Sequence, residues 1–199
     1  MYITSAEEIE AQFGINVFAQ LRVLRAVLPY MRAQRSGIIA NLGSIGGWRG
    51  TPVAGLYCAS KAAVAIYTES LKVELAEFGI ETTCIEPGYF RTNFLSTLGG
   101  GNKITAEKQI PEMEETTQNS RSALKAYNNQ QPGDPAKGAQ VIVEALTRSG
   151  RCHGRTLPPR LALGKDAYEI IGGVLDQNRE SLEAWKDVIT STDYDDVVS

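Results

Sequence analysis

The chain has 199 residues, enough for one ordinary domain or a large part of a bigger one, and its 43% hydrophobic and 22% charged residues exclude a wholly disordered or fibrous chain. The formal net charge of −3 has the wrong sign and size for a dedicated nucleic-acid binder. Cys58, Cys84 and Cys152 are widely spaced and odd in number, against a disulfide framework or structural zinc, and the lone His153 removes most histidine-based metal chemistry.

The N-terminal stretch has no basic start, apolar core or small-residue cleavage site, so no leader is expected. No apolar run reaches the length needed to span a bilayer. A reducing, cytoplasmic setting is the expectation. Ser5 and Glu8 form a capping box. Ile9, Phe13, Val17, Leu21, Leu24, Leu28 and Met31 then recur at helical spacing. One long amphipathic helix is predicted to Arg35, with Gly37 as its stop and Pro29 as a possible bend.

Gly37 to Ser44 is a short apolar run bounded by glycines, which reads as a buried parallel strand. A loop with Gly46, Gly47, Gly50 and Pro52 follows. Its Trp48-Arg49 pair suits stacking on a ligand and a packed loop equally. A second long helix is predicted over Leu56 to Phe78, capped by Gly79. Ile80 to Ile85 reads as the next strand, and Pro87-Gly88 ends it. Residues 89–131 are polar and irregular, with a Gly99-Gly100-Gly101 run and a helical patch near Glu112 to Tyr127. Asp134 and Pro135 start another helix as N-cap and first helical residue. It runs to about Arg148. A last strand is predicted within Arg155 to Leu163 and a final helix over Asp166 to Thr190. Residues 192–199 read as a frayed acidic tail. The alternation of helix and strand predicts a single α/β domain over 1–199 with a parallel sheet and right-handed crossovers.

Tyr57 and Lys61 lie four residues apart, so they share one face of the second helix. Ser44 ends the preceding strand. Strand ends and helix starts meet at the ligand-binding rim of an open α/β sheet, so the three polar groups can converge there. The set suits interconversion of a carbonyl and an alcohol. A phenol with a pKa near 10 exchanges protons poorly at neutral pH. A neighbouring ammonium and the helix N-terminus both favour the phenolate. A shift of about three units needs on the order of 4 kcal/mol. Ser44 can hold the substrate oxygen near Tyr57.

Tyr57-Cys58-Ala59-Ser60-Lys61 resembles the YxxxK motif of the short-chain dehydrogenases/reductases. Ser44 in Asn41-Leu42-Gly43-Ser44, Asn16 in Gly14-Ile15-Asn16-Val17, and Pro87-Gly88 followed by Thr92 resemble that family's pattern in order and context. The resemblance covers most of the chain, including Gly133-Asp134-Pro135. It implies the C-terminal part of a Rossmann-like doubly wound parallel sheet with flanking helices. It implies Tyr57 as proton donor or acceptor and Ser44 as the group orienting the substrate oxygen. Lys61 would bind the nicotinamide ribose and lower the tyrosine pKa, and Asn16 would support a water relay to it. Pro87, Gly88, Phe90 and Thr92 would lie beside the nicotinamide of NADP, the first choice, or of NAD.

The family's TGxxxGxG turn is missing from this sequence, as are its NNAG-type segment and the residue that selects NAD or NADP. The expectation is a truncated or alternatively started member that alone binds nicotinamide cofactors poorly. The Gly37–Ser44 strand would then be an exposed edge, apolar on both faces. Residues 89–131 are expected to form a substrate lid, with Phe90, Phe94, Leu95 and Leu98 as an apolar wall for a lipophilic alcohol or ketone. Pairing of two copies through the two long helices is expected. The alternative is an inactive remnant acting through a partner subunit.

Overall fold

The structure is a computed structural model, and it describes residues 5–96 and 110–194. Ser5 and Glu8 form the expected reciprocal cap at the start of α1 (Ala6–Phe13). The long first helix is not continuous. A π-helical turn over Gly14–Phe18 separates α1 from α2 (Ala19–Gln34). Apolar spacing does not reveal such a turn, because the extra residue shifts the phase without ending the helix. Pro29 stays inside α2, and the helix closes on Arg35 in the left-handed region.

Strand β1 (Gly37–Leu42) leads into α3 (Gly55–Glu74), which is shorter than predicted because a 3-10 turn takes its end over Ala76–Phe78. Gly79 then turns back at φ 66°, where an added Cβ would meet the Arg35 carbonyl oxygen at 2.7 Å. Strand β2 (Ile80–Pro87) follows, then α4 (Glu114–Tyr127) and α5 (Pro135–Thr147). Asp134 caps α5 by accepting from the Ala136 and Lys137 amides at 2.9 and 3.3 Å. Strand β3 (Arg160–Leu163) lies within the predicted span and begins only after Pro158-Pro159. Helices α6 (Lys165–Ala184) and α7 (Lys186–Thr190) complete the described chain, parted by Trp185.

The three strands are parallel in the order β1-β2-β3, as the alternation predicts. β2 is central and almost wholly buried. On one face Ile39 packs with Leu24, Leu75 and Ile80, and Cys84 packs with Val17, Val64 and Ala65. Asn41 joins that face through a 2.9 Å hydrogen bond from its Nδ2 to Thr68 Oγ1. β1 is an edge, as expected, but only one of its faces is open. Ile38 and Leu42 are 41% and 55% exposed there, while Ile39 and Asn41 are covered by the helices. Among the described residues no helix is long and apolar enough to cross a membrane. Gly99 to Gly101, Leu98 and residues 195–199 lie outside the described residues.

Candidate active site

The parallel strands deliver three chain segments to one rim of the sheet, just past Leu42, Pro87 and Leu163. Ser44 sits at the first of these, extended and buried. Its Oγ accepts from the Gly46 amide at 3.0 Å and caps a 3-10 turn over Ile45–Gly47. That turn lies against α3. A Cβ on Gly46 would stand 3.1 Å from the Tyr57 ring, and one on Gly47 would stand 3.1 Å from the Lys61 carbonyl. The small residues at both positions let the Ser44 loop lie close against the helix.

Tyr57 and Lys61 share a face of α3, with the Lys61 ammonium 5.8 Å from the Tyr57 ring centroid. Lys61 is buried, and its Nζ donates to the Leu42 carbonyl at 2.9 Å. Burial pulls its pKa below the ordinary lysine value. Burial pushes the Tyr57 phenol above its ordinary value, while hydrogen bonding with the Ser44 hydroxyl acts in the opposite direction. The sequence expectation had the lysine charge and helix terminus bring the phenol down. Here burial sets the direction, and the Lys61 ammonium donates to the strand carbonyl.

Asn16 stands on the π-helical turn and donates from Nδ2 to Ser60 Oγ at 3.0 Å. Ser60 in turn donates to the Tyr57 carbonyl at 2.7 Å. Asn16 thus touches the residue preceding Lys61 rather than Lys61 itself. At the second segment the Gly88 amide donates to the Leu163 carbonyl at 2.8 Å, and the Tyr89 amide donates to Asp166 Oδ2 at 2.6 Å. Thr92 is exposed, and its Oγ1 accepts from the Phe94 amide at 3.3 Å. Phe90 pairs with Gly133 of the segment that leads into α5. Its ring packs on α5, where a Cβ on Gly138 would meet it at 2.5 Å. Phe94 does reach the site, with its ring 5.9 Å from that of Tyr57. Tyr89, not picked out from the sequence, stands near Tyr57 and meets Tyr127 edge-on at 5.2 Å.

Sequence reasoning also missed a buried ionic cluster behind the site. Glu86 is fully buried and accepts from Trp48 Nε1 at 2.7 Å and from Arg160 Nη2 at 2.6 Å. The Arg160 guanidinium lies 3.9 Å from the Trp48 ring centroid, and Glu69 stands 3.6 Å from it. Trp48 is therefore a packed loop residue. The signal was an acid inside a buried strand, which requires a partner. Glu86 links the loop carrying Ser44 to the turn at Pro87-Gly88. Among the described residues no cluster could hold a metal ion. Cys58 and Cys84 are buried free thiols, and His153 is exposed.

A sequence profile of the short chain dehydrogenases matches residues 2–102, half of the chain, including Asn16, Ser44, Tyr57 and Lys61. The chain belongs to that family. It is 34% identical over 145 residues to the uncharacterized oxidoreductase YusZ of Bacillus subtilis, covering 71% of this chain and 50% of that protein. It is 41% identical over 110 residues to a 3-ketodihydrosphingosine reductase of Bacteroides thetaiotaomicron, covering 53% of this chain and 41% of that one. A short-chain dehydrogenase from Streptomyces avermitilis shares the fold with a TM-score of 0.82 and 36% identity. That match covers 98% of this chain and 66% of the other. The chain spans about half the length of the curated relatives it matches.

Proposed function

We propose that this short-chain dehydrogenase chain carries the proton-transfer centre of an NAD(P)-dependent oxidoreductase acting on a secondary alcohol or ketone of a small lipophilic substrate. The supporting observation is the meeting of Ser44, Tyr57 and Lys61 at one rim of the sheet. Tyr57 gives its proton to the carbonyl oxygen in reduction and takes it back in oxidation. Ser44 hydrogen-bonds that oxygen and fixes its approach to the phenol. Through Ser60, Asn16 steadies the α3 turn that carries Tyr57 and Lys61. Phe94, Tyr89 and Tyr127 make an aromatic wall that suits a lipophilic substrate.

The site fits the nicotinamide end of a dinucleotide. Among the described residues the buried Lys61 ammonium has one hydrogen-bond partner, so two of its three protons are left for ribose hydroxyls. Lys61, Tyr57 and the turn at Pro87, Gly88 and Thr92 would hold that end. When bound, the cofactor supplies or accepts the hydride. NADP is the first cofactor to test, then NAD. A cytoplasmic setting is proposed with it, on the three free thiols.

Tyr57→Phe keeps the ring and removes the acid. Turnover of a lipophilic ketone with millimolar NADPH should fall at least about 100-fold, while circular dichroism stays unchanged. Equal turnover in parent and variant would sink the proposal. A second reading is association without turnover, supported by the open edge of β1 and by the exposed Ile15, Phe18, Ile66 and Val73 on the α1–α3 face. Under it the parent shows no turnover, NADPH titration shows no micromolar binding, and pairing through those helices persists.

A further inference from the structure

Helix α6 runs off the body of the protein. Ala167 and Ile171 are buried against Ile45, but every described residue from Leu175 to Tyr194 is exposed. The exposed part is not polar throughout. At about 100° per residue, Leu175, Leu182 and, at the end of α6, Trp185 point within about 40° of the direction of Ile171, and Ile189 follows on α7. They continue the core-facing stripe of the helix into solvent. Leu182 and Trp185 are each 61% exposed. From Leu175 to Trp185 the stripe is about 15 Å long.

The flank of this stripe carries Asp176, Arg179, Glu183 and Lys186, in the order minus, plus, minus, plus. None of the four makes an ion pair among the described residues. The order is complementary to its own reverse. In an antiparallel pair centred near Ser181, Asp176 meets Lys186 of the other copy and Arg179 meets its Glu183. The two-fold axis repeats both contacts. The antiparallel arrangement also brings the Ile189 end of one helix beside Gly172 and Gly173 of the other. A Cβ at either glycine would meet nothing within 4 Å, so a neighbouring helix has room there.

We infer that α6 and α7 form an isologous, antiparallel contact with α6 and α7 of a second copy of this chain, held by the Leu175–Ile189 stripe and oriented by the charge palindrome. Apolar burial supplies the affinity, and the exposed ion pairs select the direction. This surface is separate from the α1–α3 face and from the catalytic rim, and the inference does not rest on turnover.

The test uses the intact chain. Sedimentation velocity at tens of micromolar should give twice the chain's 21.6 kDa, or a multiple of that pair if the α1–α3 face also associates. Zero-length carbodiimide coupling in a mixture of 14N and 15N chains should join Asp176 to Lys186 between copies. Within one chain the stretch of α6 from Asp176 to its end already spans about 12 Å, so the two residues are too far apart for direct coupling. Leu182→Glu should abolish the cross-link. Lys186→Asp should weaken this contact about tenfold. Asp176→Lys combined with Lys186→Asp should restore it to within about threefold. A monomer at 100 µM (about the upper working range) overturns the inference. So does association that survives Leu182→Glu without any Asp176–Lys186 product.

Discussion

Two neighbouring groups in the site are both held away from their charged forms. Burial raises the Tyr57 pKa and lowers that of Lys61. For Lys61 the folded pKa lies below the unfolded one, so between the two the unfolded chain binds more protons and stability rises with pH. Below the folded pKa the full cost of the buried ammonium is present. Lys61→Met should therefore flatten the rise in urea midpoint on the alkaline side; an unchanged slope would show that Lys61 is not the titrating group. For Tyr57 a raised pKa leaves the phenolate scarce at neutral pH. Alcohol oxidation should keep climbing through pH 10, and a plateau below pH 8 would mean that bound cofactor reverses the desolvation. The thiols give a simpler check. Burial pushes Cys84 up to about 12, and Cys58 is buried, so only the partly exposed Cys152 should react quickly with a thiol reagent at pH 8. All three should react in denaturant.

The loop after β1, the end of β2 and the start of β3 meet at Glu86. Among the described residues, Arg160→Met leaves that buried carboxylate with the Trp48 indole as its one side-chain donor. Loss of one partner of a buried pair costs about 3–5 kcal/mol. Urea unfolding should show a loss of that size, and a loss under about 1 kcal/mol would mean that water already reaches Glu86. Gly138→Ala on α5 would drive a methyl into the Phe90 ring and should cost about 1–3 kcal/mol. The capping box at Ser5, the Asp134 cap and the strands at Ile38 and Thr82 were legible from the sequence, because caps and apolar runs are local. The π-helical turn at Asn16 and the direction of the Phe90 ring were not. Both depend on what packs against them from distant segments.

The open side of β1 shapes how the molecule behaves as a body. Ile38 and Leu42 present an apolar face beside unpaired strand backbone, a template for association. Ile38→Lys should lower light scattering on storage at high concentration and leave the urea midpoint within about 0.5 kcal/mol. Equal scattering would locate the sticky surface elsewhere, with the α1–α3 face and the α6 stripe as the other exposed apolar areas.

By itself the sequence determined the α/β alternation, the caps, and the order of Asn16, Ser44, Tyr57 and Lys61 along the chain. These follow from periodicity and residue chemistry over short separations. The tertiary structure alone decided which way the Lys61 ammonium points, that Glu86 is matched by Arg160, and that Phe94 rather than Phe90 faces Tyr57. Those outcomes turn on burial and on partners 19 to 85 positions away, such as Leu42 for Lys61 and Leu157 for Lys72. Desolvation and pairing are properties of the packed whole, and no local pattern encodes them.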